Sequence, residues 1–277
     1  MIARLLAQHL TPELGQPVVV ENRVGSNGMI GTDYVARSEP DGYTILLAPS
    51  GHAINNSLNP NVPYDPVKDF TFITLIGTVP MAVTANKAFP PNTIPELVAY
   101  AKANPGKLNF GSGGPGSSNQ LATELFAHMA GIRMTHVPYR GDAPGIIDLV
   151  GGQISFIFLN TPAALPLIKN GKAKVLGITS PKRSPLLPDV PSIGETVPGY
   201  VAGSWHGIFG PAGMPKPVLD RLNAAFVKVI NKPEVNEKLK GWGVNVVASS
   251  STEFGAFVES EIKKWADVIK TADIKLQ

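Results

Sequence analysis

Leu108-Asn109-Phe110-Gly111-Ser112-Gly113-Gly114-Pro115-Gly116-Ser117-Ser118-Asn119-Gln120-Leu121-Ala122-Thr123-Glu124-Leu125-Phe126 reads as a strand, a loop of small residues and a helix in immediate succession. A helix start leaves four amides without intrahelical partners, and its macrodipole favours negative charge. Small residues let a ligand approach the main chain closely, so residues 111–118 are an expected anion cradle.

The same alternation extends on both sides. Upstream, Pro17–Glu21, Tyr43–Ala48, Phe72–Ile76 and Ala82–Ala85 have strand composition, and Tyr43–Ala48 is apolar enough for a buried parallel strand. Val24–Gly28 reads as a turn, Ile30–Arg37 as a helix, and Ile94–Ala101 as a helix with Pro95 in its first turn. Downstream come strands at Thr135–Val137, Ile154–Leu159 and Val175–Ile178, with helices at Ile146–Val150 and Ala163–Lys169 between them. Pro181–Pro198 reads as a long surface loop. Two amphipathic helices follow the connector Gly210–Pro217, one striped by Leu219, Leu222 and Phe226, the other by Phe254, Val258 and Trp265, entered through a capping box at Ser250 and Glu253. The chain begins on helical spacing at Ile2, Leu5, Leu6 and Leu10. Pro- and Gly-rich punctuation near residues 104 and 213 predicts two lobes: residues 1–103 with 213–277, and residues 104–212 carrying the glycine loop.

Composition removes several function classes. The 277 residues are 43% hydrophobic and 16% charged, with a net charge of +3 and no cysteine. Disulfides, thiolate nucleophiles and cysteine zinc sites are excluded, and no basic stripe with interleaved aromatics suggests nucleic acid. No apolar run reaches the roughly 18 residues of a membrane-spanning helix. The five histidines show no metal-ligand spacing, so no metal is expected. No G-x-S-x-G elbow or base partner for Ser117 or Ser118 exists, and no catalytic residue is assigned. Glu124 and Asp148 fall on helix patterns and are expected in solvent.

Gly111, Gly113 and Gly116 satisfy G-x-G-x-x-G between strand and helix, which keeps open an NADP-linked oxidoreductase using Arg140. The acid that fingerprint requires about 20 residues on is absent. A P-loop is disfavoured because Ser117 stands where the phosphate-binding lysine belongs. Two other small polar clusters end strands, Ser50-Gly51-His52 and Asn160-Thr161-Pro162, where open α/β sheets bind ligands.

Taken together, Leu14–Arg23, Pro40–Thr44, Ala103–Ser112, His136–Gly141, Leu187–Pro191 and Gly210–Gly213 resemble the substrate-binding proteins of tripartite tricarboxylate transporters, the Bug family of periplasmic receptors. The resemblance implies an α/β flytrap of two lobes, each a mainly parallel sheet flanked by helices. It implies a periplasmic, monomeric receptor without cofactor that closes on a small organic carboxylate and hands it to membrane subunits. The matching ligand positions are Ser112, Gly113, Gly116, Ser117 and Ser118, with Asn160, Thr161, Ser50 and Gly51 at strand ends.

Two departures from the family carry expectations. Relatives begin with a signal peptide, then a strand and a Pro/Gly-rich loop; this sequence starts at the following helix, so either it is a piece of a longer chain or half the clamp is missing. A relic that binds nothing, its sheet left with an exposed position, is the third reading. Leu159 stands where many relatives carry Asp, which favours a ligand with an uncharged or aromatic body.

Overall fold

The computed structural model describes residues 1–23, 25 and 28–274; of the turn expected at 24–28, Val24, Ser26 and Asn27 lie outside the described residues. The chain forms two compact units, Met1–Thr78 with Trp205–Ala266, and Val79–Ser204 with the segment from Asp267. The boundaries therefore differ from those expected at 103/104 and 212/213. The first boundary moves because β3 (Met81–Asn86) hydrogen-bonds between β6 (Phe156–Asn160) and β7 (Ala173–Ile178), inside the second unit's sheet, and the second because the strand Ser204–Pro211 pairs in the first unit's sheet.

The first unit carries the sheet order β1-β8-β2-β9, from β1 (Leu46–Pro49), β2 (Phe70–Val79), β8 (Ser204–Pro211) and β9 (Asn245–Val246). β1 is an edge strand, antiparallel to β8 from Leu46↔Phe209 to Pro49↔His206, and β2 pairs antiparallel with β9. The buried parallel strand expected at Tyr43–Ala48 is thus a short edge, with Tyr43 81% exposed. Pro17–Glu21 forms no strand, and Val19 is 80% exposed. Helices α1 (Ile2–Leu14), α2 (Met29–Ala36), α3 (Gly51–Leu58), α8 (Lys216–Ile230), α9 (Pro233–Gly241) and α10 (Ser251–Thr271) complete this part of the chain, the last turn of α10 counting with the second unit. Leu5, Leu6 and Leu10 are buried on α1, which packs on α8. The core is aromatic: Phe209 meets Phe254 at 4.8 Å and His52 at 4.2 Å, and Trp205 packs edge-on to Phe254 and Phe257. A side chain at Gly207 would run into the Phe254 ring, so this strand position must be glycine.

The second unit has the order β5-β4-β6-β3-β7, with β4 (Asn109–Ser112) and β5 (Thr135–Pro138). β4 runs parallel to β5 and β6, whereas β3 is antiparallel to β6 and β7. Both sheets are thus mixed or antiparallel in these pairings, not mainly parallel: partner direction depends on connections that local composition does not encode. Helices α4 (Ile94–Ala103), α5 (Ser118–Ala130), α6 (Asp142–Val150) and α7 (Thr161–Lys169) flank the sheet. Phe110, Phe126, Phe156 and Phe158 are fully buried. The segment expected as a surface loop contributes to this core through Ile193, and Ser192 bridges Ile178.

α4 shows how the sequence sets a boundary. Thr93 is extended and its Oγ1 accepts the Glu96 N–H (3.3 Å), while Glu96 Oε2 accepts the Asn92 N–H (2.7 Å). Pro95 fits because first-turn amides have no intrahelical acceptor. Thr93→Ala is expected to cost about 1 kcal/mol, measured as a lower urea midpoint at unchanged m-value.

Candidate functional site

The glycine loop spends most of its amides on itself. Gly113 N–H donates to Asn119 Oδ1 (3.1 Å), Gly114 N–H to Ser112 Oγ (3.1 Å), Gly116 N–H to Gln120 Oε1 (2.8 Å) and Ser117 N–H to Gly114 O (3.1 Å). Gly114 and Gly116 adopt φ values of 122° and 76°, which admit the tight path that brings these donors inward. Behind the loop His136 Nε2 lies 2.6 Å from Ser112 Oγ, and Gln120 Nε2 lies 3.2 Å from His136 Nδ1. The assignment that fits both contacts is a neutral imidazole donating from Nε2 and accepting at Nδ1, and burial lowers its pKa. The expected cradle of unhindered glycine amides is therefore corrected: the loop is a braced support.

The unspent donors come immediately after it. Ser117 (φ −67°, ψ 148°) caps α5 without a side-chain bond to the helix. Among the described residues, the amides of Ser118, Asn119 and Gln120 have no acceptor, and neither does the Ser118 hydroxyl. A pocket of about 80 Å³ opens here, lined by Met81, Ser117, Ser118, Asn119, Asp142, Phe158 and Asn160. Sheet register builds its apolar wall. Asn160 lies opposite Met81, and Phe158 is two residues back along β6 on the same face. Asn160 Oδ1 is buried without a hydrogen-bond partner.

Among the described residues no lysine, arginine or histidine lines this pocket, yet one acid does. Asp142, first residue of α6, accepts from Asn119 Nδ2 at Oδ1 (2.9 Å), and burial raises its pKa. Among the described residues this is its one side-chain hydrogen bond.

The sequence-derived residues separate into distinct roles. Ser117, Ser118 and Asn160 line the pocket, although Ser117 Oγ already donates to Gly114 O (2.6 Å). Ser112 is fully buried in the bracing network, and the amides of Gly113 and Gly116 are occupied. Thr161 is fully buried, with its amide and hydroxyl both on Pro80 O (3.0 and 2.8 Å); it anchors α7 to the chain entering β3. Ser50 and Gly51 belong to the first unit, where buried Ser50 precedes α3 and its carbonyl accepts the Ala53 N–H (3.1 Å).

Leu159 also departs from expectation. It points to the opposite face of β6, fully buried among Ala82, Ile157 and Ala164, so its identity says nothing about a ligand's body. Asp148, expected in solvent, accepts the Tyr139 hydroxyl (2.7 Å), whose pKa is pushed up to about 12 by burial and by this carboxylate. Glu124 is half-buried, and burial raises its pKa. Met81, Asn119, Asp142 and Phe158 were not legible as site residues. Asn119 offered the one usable signal, an amide side chain in the first turn after a glycine loop.

The NADP reading fails on the same geometry. A dinucleotide fingerprint needs glycine amides free for the pyrophosphate; here they are bonded to Asn119 and Gln120, and Arg140 is exposed. Among the described residues no cluster of three or more potential ligands could hold a metal, and no helix is long and apolar enough to cross a membrane.

Two α/β units, each a sheet with flanking helices, and a pocket at a helix start define the class: a solute-binding receptor. The chain belongs to the family described as the tripartite tricarboxylate transporter family receptors, which it matches over residues 2–274. It is 35% identical over 280 residues to protein BugT of Bordetella pertussis, covering 100% of this chain and 86% of that protein. A protein of R. palustris solved with adipate is 36% identical at a TM-score of 0.84, covering 99% of this chain and 93% of that one. MatC of Rhodopseudomonas palustris, with bound malate, is 32% identical at a TM-score of 0.79, covering 97% and 93%.

Proposed function

We propose that this chain is a periplasmic receptor that captures a small organic carboxylate at the start of α5 and delivers it, as a monomer, to the membrane subunits of a tripartite tricarboxylate transporter. One observation carries the reading: the unspent amides and hydroxyl of the first turn of α5 face a pocket with an apolar wall and, among the described residues, no cationic side chain. Charge-assisted hydrogen bonds of about 1.5–3 kcal/mol each bring the three amides and one hydroxyl together to about 6–12 kcal/mol, a range that includes the roughly 8 kcal/mol of micromolar capture. The helix dipole adds to them without the desolvation cost of a buried cation. The adipate and malate held by the two relatives support the ligand class. Ser50 and Gly51 stay candidate contacts on the family resemblance alone.

Ser118→Pro tests the reading cleanly. Proline is favoured at the first helical position, and the extended Ser117 backbone suits a residue before proline. The variant deletes one amide donor and one hydroxyl while leaving the helix start intact. Calorimetry with adipate and malate is expected to show at least about tenfold weaker binding for whichever the wild type takes, at a nearly unchanged melting temperature. Undiminished affinity would remove the α5 start from the site.

A further inference from the structure

The pocket holds more than donors for a carboxylate. It also presents two acceptors without a hydrogen-bond partner among the described residues: the second carboxylate oxygen of Asp142, on a half-buried side chain, and Asn160 Oδ1, which is buried. A simple carboxylate only accepts hydrogen bonds. Seated on the α5 amides, it would answer Ser118 and Asn119 and turn its own oxygens or bare methylene groups toward these acceptors. A polar group that the ligand covers and leaves unpaired costs more than a made hydrogen bond gains, so such a ligand is penalised.

We infer that Asp142, with Asn160 beside it, makes this pocket selective for carboxylates bearing a hydroxyl on the carbon next to the carboxyl group. This rests on the reading of the site given above and deepens it. The hydroxyl proton is donated to Asp142 Oδ2, while the carboxyl group takes the Ser118 and Asn119 donors. Asp142 is fixed for this task. Asn119 Nδ2 holds its Oδ1, and Asn119 Oδ1 in turn receives Gly113 N–H, so acceptor and glycine loop are braced by one side chain. Any side chain at Gly113 would press on the same oxygen, 3.1 Å from the added Cβ.

An amino group is the rival donor, and the local field argues against it. Asp142 sits at the start of α6, and the pocket lies at the start of α5, so two helix N-termini place positive potential there. A cation would gain one carboxylate and meet both dipoles. A neutral hydroxyl donates to the same carboxylate oxygen without that opposition.

The test uses acid pairs that differ by the hydroxyl alone: lactate with propionate, malate with succinate, 2-hydroxyglutarate with glutarate and 2-hydroxyadipate with adipate, plus aspartate as the amino counterpart of malate. Calorimetry on the wild-type chain is expected to favour the hydroxylated member at least about tenfold at the chain length that binds best, with aspartate weaker than malate. Asp142→Asn turns an amide donor into the pocket. It is expected to bring the ratio near one, weakening the hydroxy acid and strengthening its plain partner. Equal affinity within pairs for the wild type, an unchanged ratio in the variant, or aspartate bound above malate would each overturn the inference and leave a carboxylate receptor standing. Failure of every acid in the panel to bind would instead overturn the carboxylate reading itself.

Discussion

Glu261→Ala is expected to destabilise the protein by about 3–5 kcal/mol, the range for removing one partner of a buried charged network. Glu261 is 6% exposed, and its Oε2 accepts the indole N–H groups of both Trp205 and Trp265 at 3.0 Å. Lys264 pairs with the other oxygen. Both indoles are buried, so deleting the carboxylate strands two donors where water cannot reach, at about 1–3 kcal/mol each. Glu261→Gln keeps one oxygen for both indoles and turns its amide toward Lys264, so its loss is expected to be smaller. Two of the three tryptophans report directly on this network, which makes fluorescence-monitored urea unfolding the natural measurement. A loss under about 1 kcal/mol for the alanine variant would show that the carboxylate is not the acceptor these indoles depend on.

The second large effect is acid lability. His52 is 2% exposed, donates from Nε2 to Pro66 O (2.9 Å), stacks on Phe209 and has no partner at Nδ1. Burial lowers its pKa from 6.5 to about 4. The folded state thus prefers the neutral ring, while the unfolded chain takes a proton near 6.5. Its contribution is full above that pH and is lost as pH falls through the folded pKa near 4. The loss amounts to about 3 kcal/mol for this one residue. Burial lowers the pKa of His136 and His206 too, adding in the same direction. Asp142 and Glu124, raised by burial, oppose the trend, so a variant is needed to isolate His52. His52→Phe is expected to be less stable at neutral pH yet to lose less between pH 6.5 and 4. Parallel stability curves for the two proteins would refute the assignment.

The elements legible in the sequence were those whose signal is local. α4 announced itself through Thr93, Pro95 and Glu96, α8 through periodic apolar residues, and α5 and α10 through small or capping residues at their starts as well. What failed depended on distant partners. Leu46 pairs with Phe209, and nothing in the Tyr43–Ala48 run says that its neighbour is antiparallel or that it sits at an edge. Pro17–Glu21 has strand composition without a strand to pair with. α3 and α9 were missed because they are short, 8 and 9 residues, so each gives an apolar period barely two turns in which to show.

The candidate site divided in the same way. Its place after β4 was readable because glycines, serines and a helix start are neighbours in sequence. Which amides are free was not readable, since that depends on where the Asn119 and Gln120 side chains fold back. Asp142 reaches the pocket only because β5 runs beside β4 and delivers the α6 start to the same end of the sheet.

The bracing of the glycine loop by Ser112, Asn119, Gln120 and His136 bears on how capture is divided between heat and disorder. Preorganisation of this kind spends the loop's freedom during folding, so little is left to freeze when a solute docks. Loosening a brace, as in Gln120→Ala, would weaken binding through a heavier entropic penalty while the directly contacting groups stay in place.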